Sequence, residues 1–158
     1  KICIIDFDIH QGNGTSDIVA DDPNMLFISL HCQEVYPFFD DEKSVERANS
    51  STETVLNKGY VKKTKAAEFF AIFDACEEKI RAFKPDLFLL SAGFDAHFQD
   101  PTDAGTLTFN DYITLTTKIK TLAHELCSDR IVSVLEGGYN LKSLKQCTVA
   151  HMLELMKK

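Results

Sequence analysis

Asp6, Asp8 and His10 stand at i, i+2 and i+4, directly after the apolar run Ile2-Cys3-Ile4-Ile5. In an extended strand, residues at that spacing project to one face. The strand would therefore end by presenting two carboxylates and an imidazole together, which is a donor set for a cation and has no rationale in packing. A third carboxylate, Asp95, follows Ser91-Ala92-Gly93-Phe94 at the end of another apolar run. Asp8, His10 and Asp95 form a three-ligand set. Two carboxylate oxygens and one imidazole nitrogen suit Zn²⁺, and three protein ligands leave a position open for water or substrate. The same donors accept Fe²⁺ or Co²⁺. Taken singly, Asp8 reads as a turn cap and Asp95 as a turn residue after Gly93; the grouping at one strand end is what argues for a site. Asp6 suits a supporting role, orienting an imidazole or holding a neighbouring cation.

Other segments carry chemistry of their own. Glu136-Gly137-Gly138-Tyr139-Asn140 combines a glycine pair, which lets backbone approach closely, with a phenol. A phenol facing a metal-bound carbonyl can donate to a developing oxyanion, although the same Tyr also reads as one packed on the rim of a sheet. Gly12-Asn13-Gly14 lacks the Lys-Ser/Thr of a phosphate loop and the dinucleotide fingerprint, so it reads as a turn into a short helix. His31 is expected to approach the site, His97 to lie in a loop near Asp95, and His124 and His151 to sit structurally or exposed within helices.

The elements that must position these groups follow from apolar patterning. Residues 2–7, 25–30, 86–91 and 131–135 read as strands covered on both faces. Residues 15–20, 65–83, 109–127 and 141–156 read as helices, with Pro85 stopping the second and Thr108 or Asn110 as N-cap of the third. Residues 33–63 read mainly as a long loop. Strands alternating with helices imply an α/β domain with a mainly parallel sheet. In such sheets ligands bind beyond the carboxyl ends of the strands, which is where Asp6, Asp8, His10, Ser29, His31, Asp95 and Tyr139 would gather.

The totals set limits. A chain of 158 residues is enough for one domain with a core. Its formal net charge is -7 and it has no Lys/Arg cluster, so direct nucleic-acid binding is not expected. Lys62, Lys63 and Lys65 are balanced by Glu68 and read as a solvated helix start. Five cysteines without a C-x-x-C pair fit a reducing compartment, hence a cytoplasmic protein, or a nuclear one in a eukaryote. Cys3 and Cys76 are expected to pack as small apolar residues. No run approaches eighteen apolar residues, so no membrane span is expected. Lys1 leads straight into an apolar run that reads as a buried central strand, so an N-terminal piece of the domain is expected to be missing.

Four separated segments resemble, in order, those of the zinc-dependent histone deacetylase superfamily, which includes acetoin-utilisation proteins and acetylpolyamine amidohydrolases. They are Asp6-Phe7-Asp8-Ile9-His10-Gln11-Gly12-Asn13-Gly14-Thr15, Ile28-Ser29-Leu30-His31, Ser91-Ala92-Gly93-Phe94-Asp95 with Asp100-Pro101, and Glu136-Gly137-Gly138-Tyr139-Asn140-Leu141. The resemblance implies a three-layer arginase-like α/β fold with a central parallel sheet. It implies zinc on Asp8, His10 and Asp95, and Tyr139 polarising the scissile carbonyl. Asp6 would orient a catalytic His, and Gly137 and Gly138 would border the substrate. A structural potassium ion would take the Ser29 hydroxyl, the Asp6 carboxylate, and backbone carbonyls of Asp6, Asp8, His10 and Leu30.

The family's tandem His pair, its general base and acid, precedes the Asp-x-Asp-x-His segment; this chain contains no His-His. Residues 1–158 are therefore expected to be the C-terminal portion of a single catalytic domain. Gln11 replaces a second His that is common after the ligand His, and residues 49–63 fit the family's usual Pro/Gly-rich loop poorly. The activity implied is removal of acetyl, or a related acyl group, from a lysine peptide or a small amine. The competing reading is a non-catalytic metal-binding fragment or interaction module that lacks the base. A third, an Asp-x-Asp phosphotransferase with Asp6 as nucleophile, is disfavoured because His10 stands where that class wants Thr or Val. Oligomeric state is not encoded in any of these motifs.

Overall fold

The apolar runs pair as strands of one parallel sheet. A computed structural model describes residues 1–37 and 50–157. Its strands β1 (Ile2–Asp6), β2 (Met25–Cys32), β3 (Val55–Tyr60), β4 (Leu87–Ala92) and β5 (Ile131–Leu135) lie in the order β3-β2-β1-β4-β5, and each neighbouring pair is parallel. The helices are α1 (Asn13–Val19), α2 (Ala66–Asp74), α3 (Glu77–Phe83), α4 (Phe109–Cys127) and α5 (Leu141–Met156).

β1 lies centrally between β2 and β4, which is why Cys3, Ile4 and Ile5 are all buried despite pointing to opposite faces. One face carries the larger core: Ile5, Ile28, Phe73, Ile80, Phe88 and Ile119 bring α2, α3 and α4 against the sheet. On the other face Val19 of α1 packs with Ile4, Phe27 and Val55. Helices on both faces of a parallel sheet make the three expected layers. α4 starts at Thr108, whose hydroxyl accepts from Asp111 N while the Asp111 carboxylate accepts from Thr108 N, a capping box. Asn140 caps α5 by accepting from Lys142 N and Ser143 N.

Two expectations need correction. The helix expected over 65–83 is two helices. Cys76 N bonds to Phe73 O at 2.8 Å, an i to i+3 contact that tightens the turn and ends α2. Phe69, Phe73, Cys76 and Ile80 all stay buried across the break, so their spacing could not reveal it. The long loop is also shorter than expected, because its last part forms β3 on the edge of the sheet. Asn57, Lys58 and Gly59 hid that strand: an edge position tolerates polar residues that a central strand excludes. The middle of the loop, 38–49, lies outside the described residues.

β2 also runs two residues past its expected end, so His31 and Cys32 lie within a strand. All five cysteines are free and buried, Cys3 and Cys76 included. Among the described residues no helix is long and apolar enough to cross a membrane.

Candidate metal centre

β1 stops at Asp6, and the chain then leaves the carboxyl edge of the sheet. Phe7 and Ile9 are buried in the core, which turns the alternate residues Asp8 and His10 towards the site. Asp8 Oδ1 accepts from His10 N at 2.8 Å and also lies 2.8 Å from His10 Nδ1. Asp95 Oδ1 accepts from Ile9 N at 2.9 Å, and its Oδ2 lies 3.1 Å from the same His10 Nδ1. Asp8 Oδ2 accepts from Gly137 N at 2.7 Å. One ligand atom from each of Asp8, His10 and Asp95 falls within 4.8 Å of the others.

This arrangement fits a divalent ion. Asp95 is fully buried, and its Oδ2 has no hydrogen-bond partner: the 3.1 Å approach to His10 lacks hydrogen-bond geometry. A single imidazole N–H cannot satisfy two carboxylates, and an unpaired buried carboxylate oxygen costs several kcal/mol, on the order of 3. The protonation pattern tells the same story. The hydrogen bond to Asp8, and then the close Asp95 carboxylate, raise the His10 pKa to about 10. The His10 proton thus stands in for a cation, and a bound metal would displace it. Burial raises the Asp95 pKa, and the nearby Asp8 charge adds to this. Burial also acts to raise Asp8, but the bonds from His10 and Gly137 outweigh it and hold that carboxyl low.

Asp6 stands beside this set without joining it. It is buried, it accepts from Asp8 N at 3.0 Å through Oδ1, and burial foremost raises its pKa to about 8. Its register partners are Ser29 on β2 and Ser91 on β4. Asp6, Asp8, His10, Ser91, Glu136 and Tyr139 all line one pocket of about 450 Å³. Ser29 Oγ lies 3.0 Å from His31 Nδ1 and accepts from Gly12 N at 3.4 Å. His31 therefore sits beside Ser29, the register partner of Asp6.

Tyr139 reaches the same pocket, with its ring edge-on to His10 at a centroid distance of 6.4 Å. The two preceding glycines have structural reasons. A Cβ on Gly137 would overlap Asp8 Oδ2 and Asp95 Oδ2, and Gly138 has φ of 140°, which L side chains rarely adopt. Gly137 thus borders the candidate ligands Asp8 and Asp95 directly, and Gly138 turns the chain into Tyr139.

Three residues of this region were given no role from sequence. Asp100 is buried and accepts from both Tyr139 N and Asn140 N. The only sequence signal was its place in Asp100-Pro101, five residues after Asp95. Ser91 lines the pocket because it is the register partner of Asp6 near the end of β4, and Glu136 because it directly follows β5. The remaining histidines lie elsewhere. His97 is buried, accepts from Gln99 N and stacks near Phe98. His124 is exposed beside Asp129, and His151 is buried between Thr116 and Ser133.

Comparison with known proteins shows the family and the fold. Residues 1–155 match the family model of the histone deacetylase domain. The chain is 38% identical to Type-2 histone deacetylase 2 of Dictyostelium discoideum over 99% of its own length and 10% of that protein's. It is 40% identical to Histone deacetylase 14, chloroplastic, of Arabidopsis thaliana over 91% of its own length and 34% of that protein's. The solved acetylpolyamine aminohydrolase from Burkholderia pseudomallei superposes with a TM-score of 0.82 at 26% identity, over 98% of this chain and 44% of that one. The chain thus spans a tenth to a third of these two curated relatives and less than half of the solved one.

Proposed function

The chain belongs to the histone deacetylase family, and from that premise we propose that residues 1–158 are the C-terminal portion of a single deacetylase domain. The domain would be a zinc-dependent amidohydrolase that removes acetyl or related acyl groups from lysine side chains or small amines. The observation that carries this reading is the convergence of Asp8, His10 and Asp95 around an orphaned, fully buried carboxylate oxygen. Asp8 Oδ, His10 Nδ1 and Asp95 Oδ2 would hold the ion, with Fe²⁺ or Co²⁺ as chemically acceptable substitutes for zinc. When bound, such an ion polarises a carbonyl and lowers the pKa of water.

The chain's own residues supply the rest. Gly137 N holds the Asp8 carboxylate in place through its 2.7 Å bond. Tyr139 projects its phenol over the pocket and donates a hydrogen bond to the carbonyl oxygen as negative charge develops there. Asp6, buried and lining the same pocket, orients an imidazole that acts as general base. Asp6 and Ser29, side by side in register, with carbonyls of Asp6, Asp8, His10 and Leu30, form the proposed potassium site. Glu136 on the pocket lining, together with the formal net charge of -7, is compatible with cationic amine-bearing substrates. A cytoplasmic or nuclear setting suits five free cysteines.

A second reading concerns this stretch of chain alone. Among the described residues lining the pocket, His10 is the only imidazole, and both carboxylates engage it. Residues 1–158 by themselves are therefore expected to bind metal without turning over substrate.

Tyr139→Phe in the full-length, zinc-loaded protein tests the mechanism with acetyl-lysine peptide and acetylpolyamine as substrates. Removing an oxyanion donor should lower kcat about 100-fold or more while zinc content stays the same. Turnover equal to wild type would remove Tyr139 from the chemistry. Robust turnover by residues 1–158 alone would overturn the second reading.

A further inference from the structure

Tyr139 carries the proposed chemistry, yet its side chain is mostly exposed, so its position depends on its backbone. The loop from Glu136 to Asn140 is strapped along the segment from Ala92 to Asp100. Glu136 N donates to Ala92 O at 3.0 Å and Phe94 N donates to Gly137 O at 2.7 Å. At the far end the strap is a side chain. Asp100 Oδ2 accepts from Tyr139 N at 2.7 Å and from Asn140 N at 3.2 Å, while Asp100 Oδ1 accepts from Thr102 N at 3.0 Å. Asn140 Nδ2 adds a bond to Gln99 O at 2.9 Å. Asp100 itself is 4% exposed, and its N donates to His97 O at 2.9 Å, which fixes it to the loop that also carries Asp95.

We propose that Asp100 is a positioning residue of the catalytic site. It fixes the Tyr139 backbone to the segment that supplies the third metal ligand, and so sets the distance between phenol and ion. The proposal rests on the catalytic reading of Tyr139. Its chemistry is specific to a carboxylate. Three N–H groups converge on the two oxygens of Asp100, and only a group that accepts at both ends satisfies them. An amide of the same shape must turn its NH₂ towards at least one of these donors. Asp100→Asn is therefore a nearly isosteric probe that loses at least one of these three bonds, the one to Thr102 N or the pair to Tyr139 N and Asn140 N, without opening a cavity. Asp100 makes no hydrogen bond to Asp8, His10 or Asp95, so loss of the clamp removes no direct contact of those side chains, and zinc content reports any shift passed on through Gly137 or Thr102.

The test uses the full-length, zinc-loaded protein. D100N should lower kcat by about 10- to 100-fold, the cost of misplacing a reacting group by about 1 Å. KM and zinc content should stay within threefold of wild type. In the Tyr139→Phe background the same change should cost less than threefold, because the group it positions is already gone. A second readout does not depend on turnover: amide hydrogen exchange at Tyr139 and Asn140 should accelerate at least 10-fold in D100N, with β4 unchanged. Wild-type kcat in D100N, or the full loss repeated in the Tyr139→Phe background, would overturn the proposal. Unchanged exchange at Tyr139 would do the same. Should D100N fail to fold, Asp100→Glu keeps both acceptor oxygens but displaces them by one methylene. It must then show a reduced kcat with KM retained, and wild-type kcat in it overturns the proposal. A Tyr139→Phe enzyme with full turnover sinks the catalytic reading instead, and the exchange experiment still decides whether Asp100 holds the loop.

Discussion

Two buried carboxylates and an imidazole cannot share so small a space without a positive charge among them. In the absence of metal His10 supplies it, its pKa raised to about 10 by Asp8 and Asp95. A metal bound there would compete with that proton for one place, and the residues that shape the place would matter as much as the ligands. Gly137 is the clearest case, since a Cβ there would overlap oxygens of both Asp8 and Asp95. Gly137→Ala should weaken zinc binding about 10- to 100-fold in a chelator competition, the scale of perturbing groups that orient ligands. Gly14→Ala, where a Cβ meets nothing within 4 Å, should leave zinc affinity at the wild-type value. Equal affinities in the two variants would refute this account of Gly137. At this scale Asp6, Asp8 and His10 were legible because a period of two is a local property. Asp100 was not legible: its partners stand 39 and 40 residues away.

At the scale of elements, α4, α5 and β5 are joined through His151. Thr116 Oγ1 donates to Tyr112 O at 2.7 Å, so it accepts from His151 Nδ1–H at 2.8 Å, and His151 Nε2 is left facing Ser133 Oγ at 3.0 Å. Burial holds His151 neutral and lowers its pKa to about 4. The unfolded chain, whose His titrates near 6.5, takes up this proton first as pH falls. The stabilisation is therefore complete above about pH 6.5 and is lost progressively towards pH 4, with an upper limit of about 3 kcal/mol. Urea unfolding at pH 7.5 and pH 5 should show a larger loss in wild type than in His151→Gln. Equal losses would rule out His151 as a source of acid sensitivity. The sequence placed His151 in a helix, but burial against Ser133 depends on which face α5 turns to β5. The break between α2 and α3 escaped notice for the opposite reason: the apolar face continues through it. β3 escaped because an edge strand need not be apolar.

At the scale of the whole molecule, the sheet is unevenly covered. β1 and β2 are buried on both faces, whereas Val132, Val134 and Leu135 of β5 are about half exposed. The candidate ligands follow β1 and β4, neighbouring interior strands, and Gly137 N from beyond β5 holds Asp8, so an ion bound there would join the segments that leave these strands. An ion bound only by the folded chain raises stability by mass action, about 4 kcal/mol at a thousandfold excess over Kd. Zinc should accordingly raise the melting temperature of residues 1–158, EDTA should reverse the rise, and Asp95→Asn should abolish it. A zinc-independent melting temperature in the unmodified chain would refute the metal centre.

From its sequence alone this chain declared an α/β architecture and the chemistry at the end of its first strand. Alternation and helical spacing are set by neighbours a few residues apart, and the pattern Asp6-x-Asp8-x-His10 needs nothing more. Tertiary structure decided the rest. It placed Gly137 N against Asp8 from 129 residues away, left one oxygen of Asp95 buried without a partner, and tied Tyr139 to Asp100. Those contacts follow from strand order, with β4 and β5 laid beside β1, and no local periodicity encodes which strands become neighbours.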